Sequence, residues 1–113
     1  MQMDKSQLSG SAAMLIMKLL EEQDMYGYQM IEQLRLRSDH TFDLKAGTLY
    51  PLLHTLEGKG YVSSYEDGRD AARPRKYYHL TPSGRGQLQE KQEQWRRYAR
   101  AVDRVLNGGL CFG

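Results

Sequence analysis

The chain has 113 residues, 40% hydrophobic and 27% charged, and its 16 Lys and Arg against 14 Asp and Glu leave a net charge of +2. That length holds one domain with little left for a second core, and the lone Cys111, in a Gly-rich tail, excludes an internal disulfide or a multi-cysteine zinc site. The amino terminus is polar (Gln2, Asp4, Lys5, Gln7) and the longest apolar run, residues 12–17, is far too short to cross a bilayer, so a cytoplasmic protein with no membrane partner is expected.

Ala12, Leu15, Ile16, Leu19 and Leu20 recur at helical spacing and predict a first helix over residues 11–22, capped by Ser9 or Ser11. Met25, Tyr26 and Gly27 break the pattern. A second helix is predicted over 28–37, burying Met30, Ile31 and Leu34, with Arg35 and Arg37 at its negative carboxyl end. Residues 38–43 are polar and turn-like. A third helix follows over 46–57, with Leu49, Leu52, Leu53 and Leu56 on one face. Pro51 removes one hydrogen bond near its start, and Gly58 and Gly60 supply its stop.

Two strands are predicted next, over 61–66 and 75–80, rich in Tyr, Val and Ser. The polar stretch between them is too long for a tight turn and reads as a protruding loop. After Thr81, Pro82 and Ser83 a long last helix begins. In it Leu88, Gln92, Trp95, Ala99, Val102 and Leu106 alternate spacings of four and three, the period of a coiled coil. No other predicted helix is long enough to cover that stripe, so another chain is the expected partner.

The fold class read from this order is mainly α with a small β-hairpin: a winged helix-turn-helix over residues 8–81, a dimerisation helix over 82–106 and a tail over 107–113. In such a fold the second helix of the pair enters the major groove with its amino-terminal residues. Opposite the leucines lie Thr48, Tyr50 and His54, with Lys45 before them and Gly47 permitting close approach of the backbone. On the hairpin, Arg69, Arg73, Arg75 and Lys76 suit phosphate or minor-groove contact, although Glu66, Asp67 and Asp70 offset three of the four cations. Trp95 reads either as an interface anchor or as a flat wall for a planar ligand. His40, His54 and His79 are scattered, so no metal is expected. No nucleophile–base pair or phosphate-cradling glycine loop appears, and neither an enzyme nor a cofactor is expected. A winged-helix module that binds protein and not DNA is the alternative.

Several of these residues also carry a family likeness. Leu8-Ser9-Gly10-Ser11-Ala12, Tyr26-Gly27-Tyr28, the run over 47–62 (GTLYPLLHTLEGKGYV), Arg75-Lys76-Tyr77-Tyr78 and Thr81-Pro82-Ser83-Gly84 together resemble PadR-type regulators, over residues 8–106. The resemblance implies a homodimer joined through the last and first helices, repression at a palindromic operator in double-stranded DNA, and release by a small effector. The single last helix is similar to the family's short branch, which includes multidrug-sensing repressors. By that likeness Trp95 would stack a planar aromatic effector, with Leu8, Ala12 and Leu15 as the facing wall.

Overall fold

The structure, a computed structural model, describes residues 5–67 and 74–108, with backbone only for residues 5–10. Seven elements follow in order: α1 (Lys5–Glu22), β1 (Met25–Tyr26), α2 (Gly27–Arg37), α3 (Ala46–Gly58), β2 (Val62–Asp67), β3 (Arg75–Leu80) and α4 (Pro82–Asn107). This is a winged helix-turn-helix with a long carboxyl-terminal helix. α1 starts six residues before the expected Ser11, through a polar stretch where no apolar period marks it.

The expected two-stranded hairpin is present as β2 and β3, and a third strand joins it. Met25 and Tyr26, read from the sequence as a break, form a strand, and the sheet has three antiparallel strands in the order β1-β3-β2. The register sets Met25 opposite Tyr78 and Tyr26 opposite Tyr77, while Tyr65 of β2 also faces Tyr77. Alternation then divides the sheet. Met25, Val62, Tyr78 and Leu80 point into the core, and Tyr26, Tyr65 and Tyr77 share the outer face.

The core is continuous across the elements. Ile16, Met17, Leu19 and Leu20 of α1 meet Met30 and Leu34 of α2, Leu49, Leu53 and Leu56 of α3, and Leu88 from the first turns of α4. Truncating one such leucine to alanine costs about 2–5 kcal/mol, so this stripe fixes α3 to the body. Between α2 and α3 the chain reverses through Asp39 and His40, both in the left-handed region (φ 51 and 65), which these two residue types tolerate better than most.

α3 runs unbroken through Pro51 and stops at Gly60, whose φ of 79 allows Tyr61 N–H to reach back to the Leu56 carbonyl at 3.0 Å. Thr81 caps α4: its Oγ1 accepts from Gly84 N–H at 3.0 Å and donates to the Gly60 carbonyl at 2.6 Å. One side chain thereby joins the end of α3 to the start of α4. Among the described residues no helix is long and apolar enough to cross a membrane, and no cluster of His, Cys, Asp or Glu could hold a metal ion.

Candidate nucleic-acid interface

Burial of the leucines turns the other side of α3 to solvent. Gly47, Thr48, Tyr50 and His54 are exposed there, as is Lys45 at the amino-terminal cap. These are the five residues singled out from the sequence at this helix, and all five are exposed. Lys45 is not unencumbered: its Nζ lies 2.9 Å from Oδ2 of Asp43.

β3 carries Arg75 and Lys76 to the same side of the molecule. Between them and α3 lies a groove of about 430 Å³ lined by Tyr26, Gly27, Tyr28, Tyr50, Pro74, Arg75 and Lys76. Two cations and several phenol groups converge there around a backbone without side chain at Gly27, an arrangement suited to an anionic polymer. Tyr26 and Tyr28, which the sequence offers only as part of the family likeness, line this groove together with Tyr50. The signal was a glycine between two tyrosines at the start of a helix, where only the glycine leaves room for Tyr50. Arg69 and Arg73 lie outside the described residues.

Behind the groove the outer sheet face forms an ordered aromatic column. Tyr26 meets Tyr77 edge-on at 5.4 Å between centroids, and Tyr77 stacks on Tyr65 at 5.8 Å. Asp24 closes the column, accepting from the Tyr65 hydroxyl at 2.7 Å and from His79 Nδ1–H at 2.8 Å. Partial burial of Asp24 opposes its charge, but the hydrogen bonds from Tyr65 and His79 outweigh that and hold its carboxyl below the usual value. The same bond to Asp24 pushes the Tyr65 hydroxyl up to about 12.

The stripe on α4 divides along its length. Leu88 is fully buried in the chain's own core, and Gln92, Ala99 and Val102 are half-buried. Trp95 (51% exposed) and Leu106 (75%) face solvent, joined by Tyr98 and by Val105 (81%), which the spacing of four and three had passed over. Trp95 borders a shallow groove of about 240 Å³ with Ser11, Met14, Lys91, Gln94 and Tyr98. Of the expected facing wall, Ala12 is buried, Leu15 packs partly against the core, and the side chain of Leu8 lies outside the described residues. Ser11 and Met14 are the α1 residues that line this groove.

Known proteins share this architecture. A model of the transcriptional regulator PadR-like family matches residues 16–90. A transcriptional regulator from Mycobacterium tuberculosis is 35% identical over 81 residues, 72% of either chain. A transcriptional regulator structure from Clostridium thermocellum superposes with a TM-score of 0.82 at 29% identity, covering 90% of this chain and 96% of that one. A PadR family regulator from Eggerthella lenta gives 0.77 at 35% identity, with 89% and 86% covered. Taken with the helix-turn-helix and the basic, aromatic groove beside it, these matches mean that the chain belongs to the PadR-like family of transcriptional regulators.

Proposed function

We propose that the chain is a homodimeric repressor that acts in the cytoplasm on a palindromic operator and is released by a small effector. The observation that carries the reading is the groove that Tyr50 of α3 shares with Arg75 and Lys76 of β3, on a helix whose Gly47, Thr48 and His54 are also exposed. Gly47, Thr48, Tyr50 and His54 would face the major groove, Lys45 would contact phosphate or bases, and Arg75 and Lys76 would hold phosphates beside it, a role also proposed for Arg69 and Arg73 outside the described residues. Two copies joined along α4 would set their reading helices roughly 34 Å apart, one turn of the duplex.

Support for the dimer comes from Trp95, Tyr98, Val105 and Leu106, which lie on one side of α4 and are exposed among the described residues. Support for the effector is the groove at Trp95, where Trp95 and Tyr98 stand 5.9 Å apart and offer flat apolar faces. A planar aromatic molecule seated there would favour dimers whose reading helices no longer match the operator spacing.

Gel shifts with duplex DNA from upstream of its own gene, repeated across salt concentrations, test the reading. Sequence-selective binding that weakens steeply with salt is expected, and Lys45→Ala should weaken it and flatten its salt dependence. No selective binding at any salt concentration would leave a winged-helix module that binds protein. Quenching of Trp95 fluorescence by flat aromatic cations, with loss of the shifted band, is the expected effector response.

A further inference from the structure

Arg75 is exposed at the end of β3, and a long side chain in that position has many rotamers to choose among. Two flanking strands limit the choice. Asp67 of β2 is its register partner on one side, and β1 lies on the other. Tyr26 pairs with Tyr77, two residues along β3 from Arg75, so it is the diagonal neighbour of Arg75 on the outer face. The Arg75 guanidinium carbon stands 4.5 Å from the centroid of the Tyr26 ring, within cation–π range.

The ring that receives this cation is itself held. Tyr77 supports it edge-on, Tyr65 supports Tyr77 by stacking, and the Tyr65 hydroxyl is tied to Asp24, two residues before Tyr26 in the chain. The column therefore returns to the strand it started from. Tyr26 also borders the groove between α2, α3 and the wing, which Arg75 and Tyr50 line as well.

We infer that Tyr26 is a positioning residue for DNA binding: its ring holds the Arg75 guanidinium over the groove, aimed at a backbone phosphate of the duplex. The wing's grip is then set by β1 and its aromatic column, not by the loop alone. This rests on the DNA-binding role given to Arg75 above. Tyr26 need not touch the DNA.

The test measures binding of the full chain to a labelled duplex from upstream of its own gene, across salt concentrations. Arg75→Gln is expected to weaken binding several-fold and to reduce the salt slope by about one. Tyr26→Leu is expected to weaken it about three- to fivefold, with the same reduction in slope, while Tyr26→Phe keeps the ring and with it the wild-type salt slope, whatever the Tyr26 hydroxyl adds to affinity in the groove. In the Arg75→Gln background Tyr26→Leu should add nothing.

Two results overturn the inference and are distinguishable. If Arg75→Gln leaves affinity and slope unchanged, the DNA role of Arg75 fails and the positioning role falls with it. If Arg75→Gln weakens binding but Tyr26→Leu does not, or costs as much without Arg75 as with it, only the positioning role fails. Should Tyr26→Leu not fold, the Arg75 Nε–H proton in the free wild-type protein decides. An upfield shift from the Tyr26 ring, retained in Tyr26→Phe, supports the stacking, and an unshifted signal overturns it.

Discussion

Tyr50 lies across Gly27, so close that a β-carbon on the glycine would overlap the tyrosine hydroxyl. The two residues sit on the two helices of the helix-turn-helix, α3 and α2, and their contact forms the floor of the groove beside the wing. Replacing a helical glycine by alanine ordinarily stabilises by up to about 1 kcal/mol. At Gly27 that gain is opposed by the displaced phenol, which is 45% exposed and free to swing into water. Gly27→Ala is therefore expected to change the urea-unfolding free energy by less than about 1 kcal/mol. It should nevertheless weaken DNA binding clearly, because Tyr50 leaves its seat. Unfolding and gel-shift titrations of the same preparation separate the two effects, and unchanged DNA affinity would count against a role for Tyr50 in the groove.

Gly84 and Gly86 stand two residues apart in α4 and should respond in opposite directions. A β-carbon on Gly84 would run into the backbone carbonyl of Tyr61 and the side chain of Leu80, whereas among the described residues nothing lies within 4 Å of one on Gly86. The Tyr61 carbonyl cannot yield easily, because it accepts from Thr81 N–H at 3.1 Å. Gly84→Ala is expected to destabilise by about 2–3 kcal/mol, as overpacking against backbone does. Gly86→Ala, at an exposed helical site, is expected to stabilise by about 0.5–1 kcal/mol. Urea midpoints of the two variants check both signs.

What could be read from the sequence depended on whether a feature was local. The stripe of Leu49, Leu53 and Leu56 repeats within one helix, and β3 was legible to its exact ends from Arg75 to Leu80. β1 was not, because two residues carry no period and Met25 and Tyr26 are a strand only through pairing with β3. Asp24 gave no signal either: its partners Tyr65 and His79 lie 41 and 55 residues away. On α4, spacing grouped Leu88 with Trp95, yet the first belongs to the chain's own core and the second faces solvent. Periodicity marks an apolar face but not where one body covering it ends. The α3 face followed directly from the leucines, since burying one side of a helix exposes the other.

The bond between Tyr65 and Asp24 predicts a stability that falls at both extremes of pH. Asp24 has its carboxyl lowered from 3.8, so its contribution is present above that value and is lost as pH falls below it. The Tyr65 hydroxyl is raised from 10.0 to about 12, so its contribution is full below 10.0 and disappears as pH rises towards 12. Asp24→Asn should flatten both limbs and return the Tyr65 titration towards 10.0. Tyrosine ring-carbon NMR followed through alkaline pH, with unfolding midpoints at acid pH, measures each limb. A Tyr65 titration unmoved by Asp24→Asn would place the cause of the shift elsewhere.

The outer half of α4 carries large apolar side chains exposed. The helix has 26 residues, about 39 Å, and its beginning is seated on the core through Leu88. Beyond that, Tyr98, Val102, Val105 and Leu106 line an apolar hollow of about 300 Å³ with almost no polar atoms. Arg96, Arg97, Arg100 and Arg104 fall on the opposite side at helical spacing, so the exposed apolar face is not an accident of a hydrophobic helix. A pair of such faces packed antiparallel or crossed would remove Val105 and Leu106 from water, at about 25 cal/mol for each Å² of apolar surface buried. Val105→Asp with Leu106→Asp should therefore yield monomers at concentrations where the wild type is dimeric. The same pair should leave urea-unfolding of the monomer's own core nearly unchanged, since neither side chain contributes to it. Sedimentation equilibrium of wild type and variant reads the association directly. DNA affinity should fall together with it, because a palindromic site rewards two reading helices held by one rigid joint. A wild-type chain that sediments as a monomer would remove the dimer from the proposed function while leaving the α3 face to be judged by its own titrations.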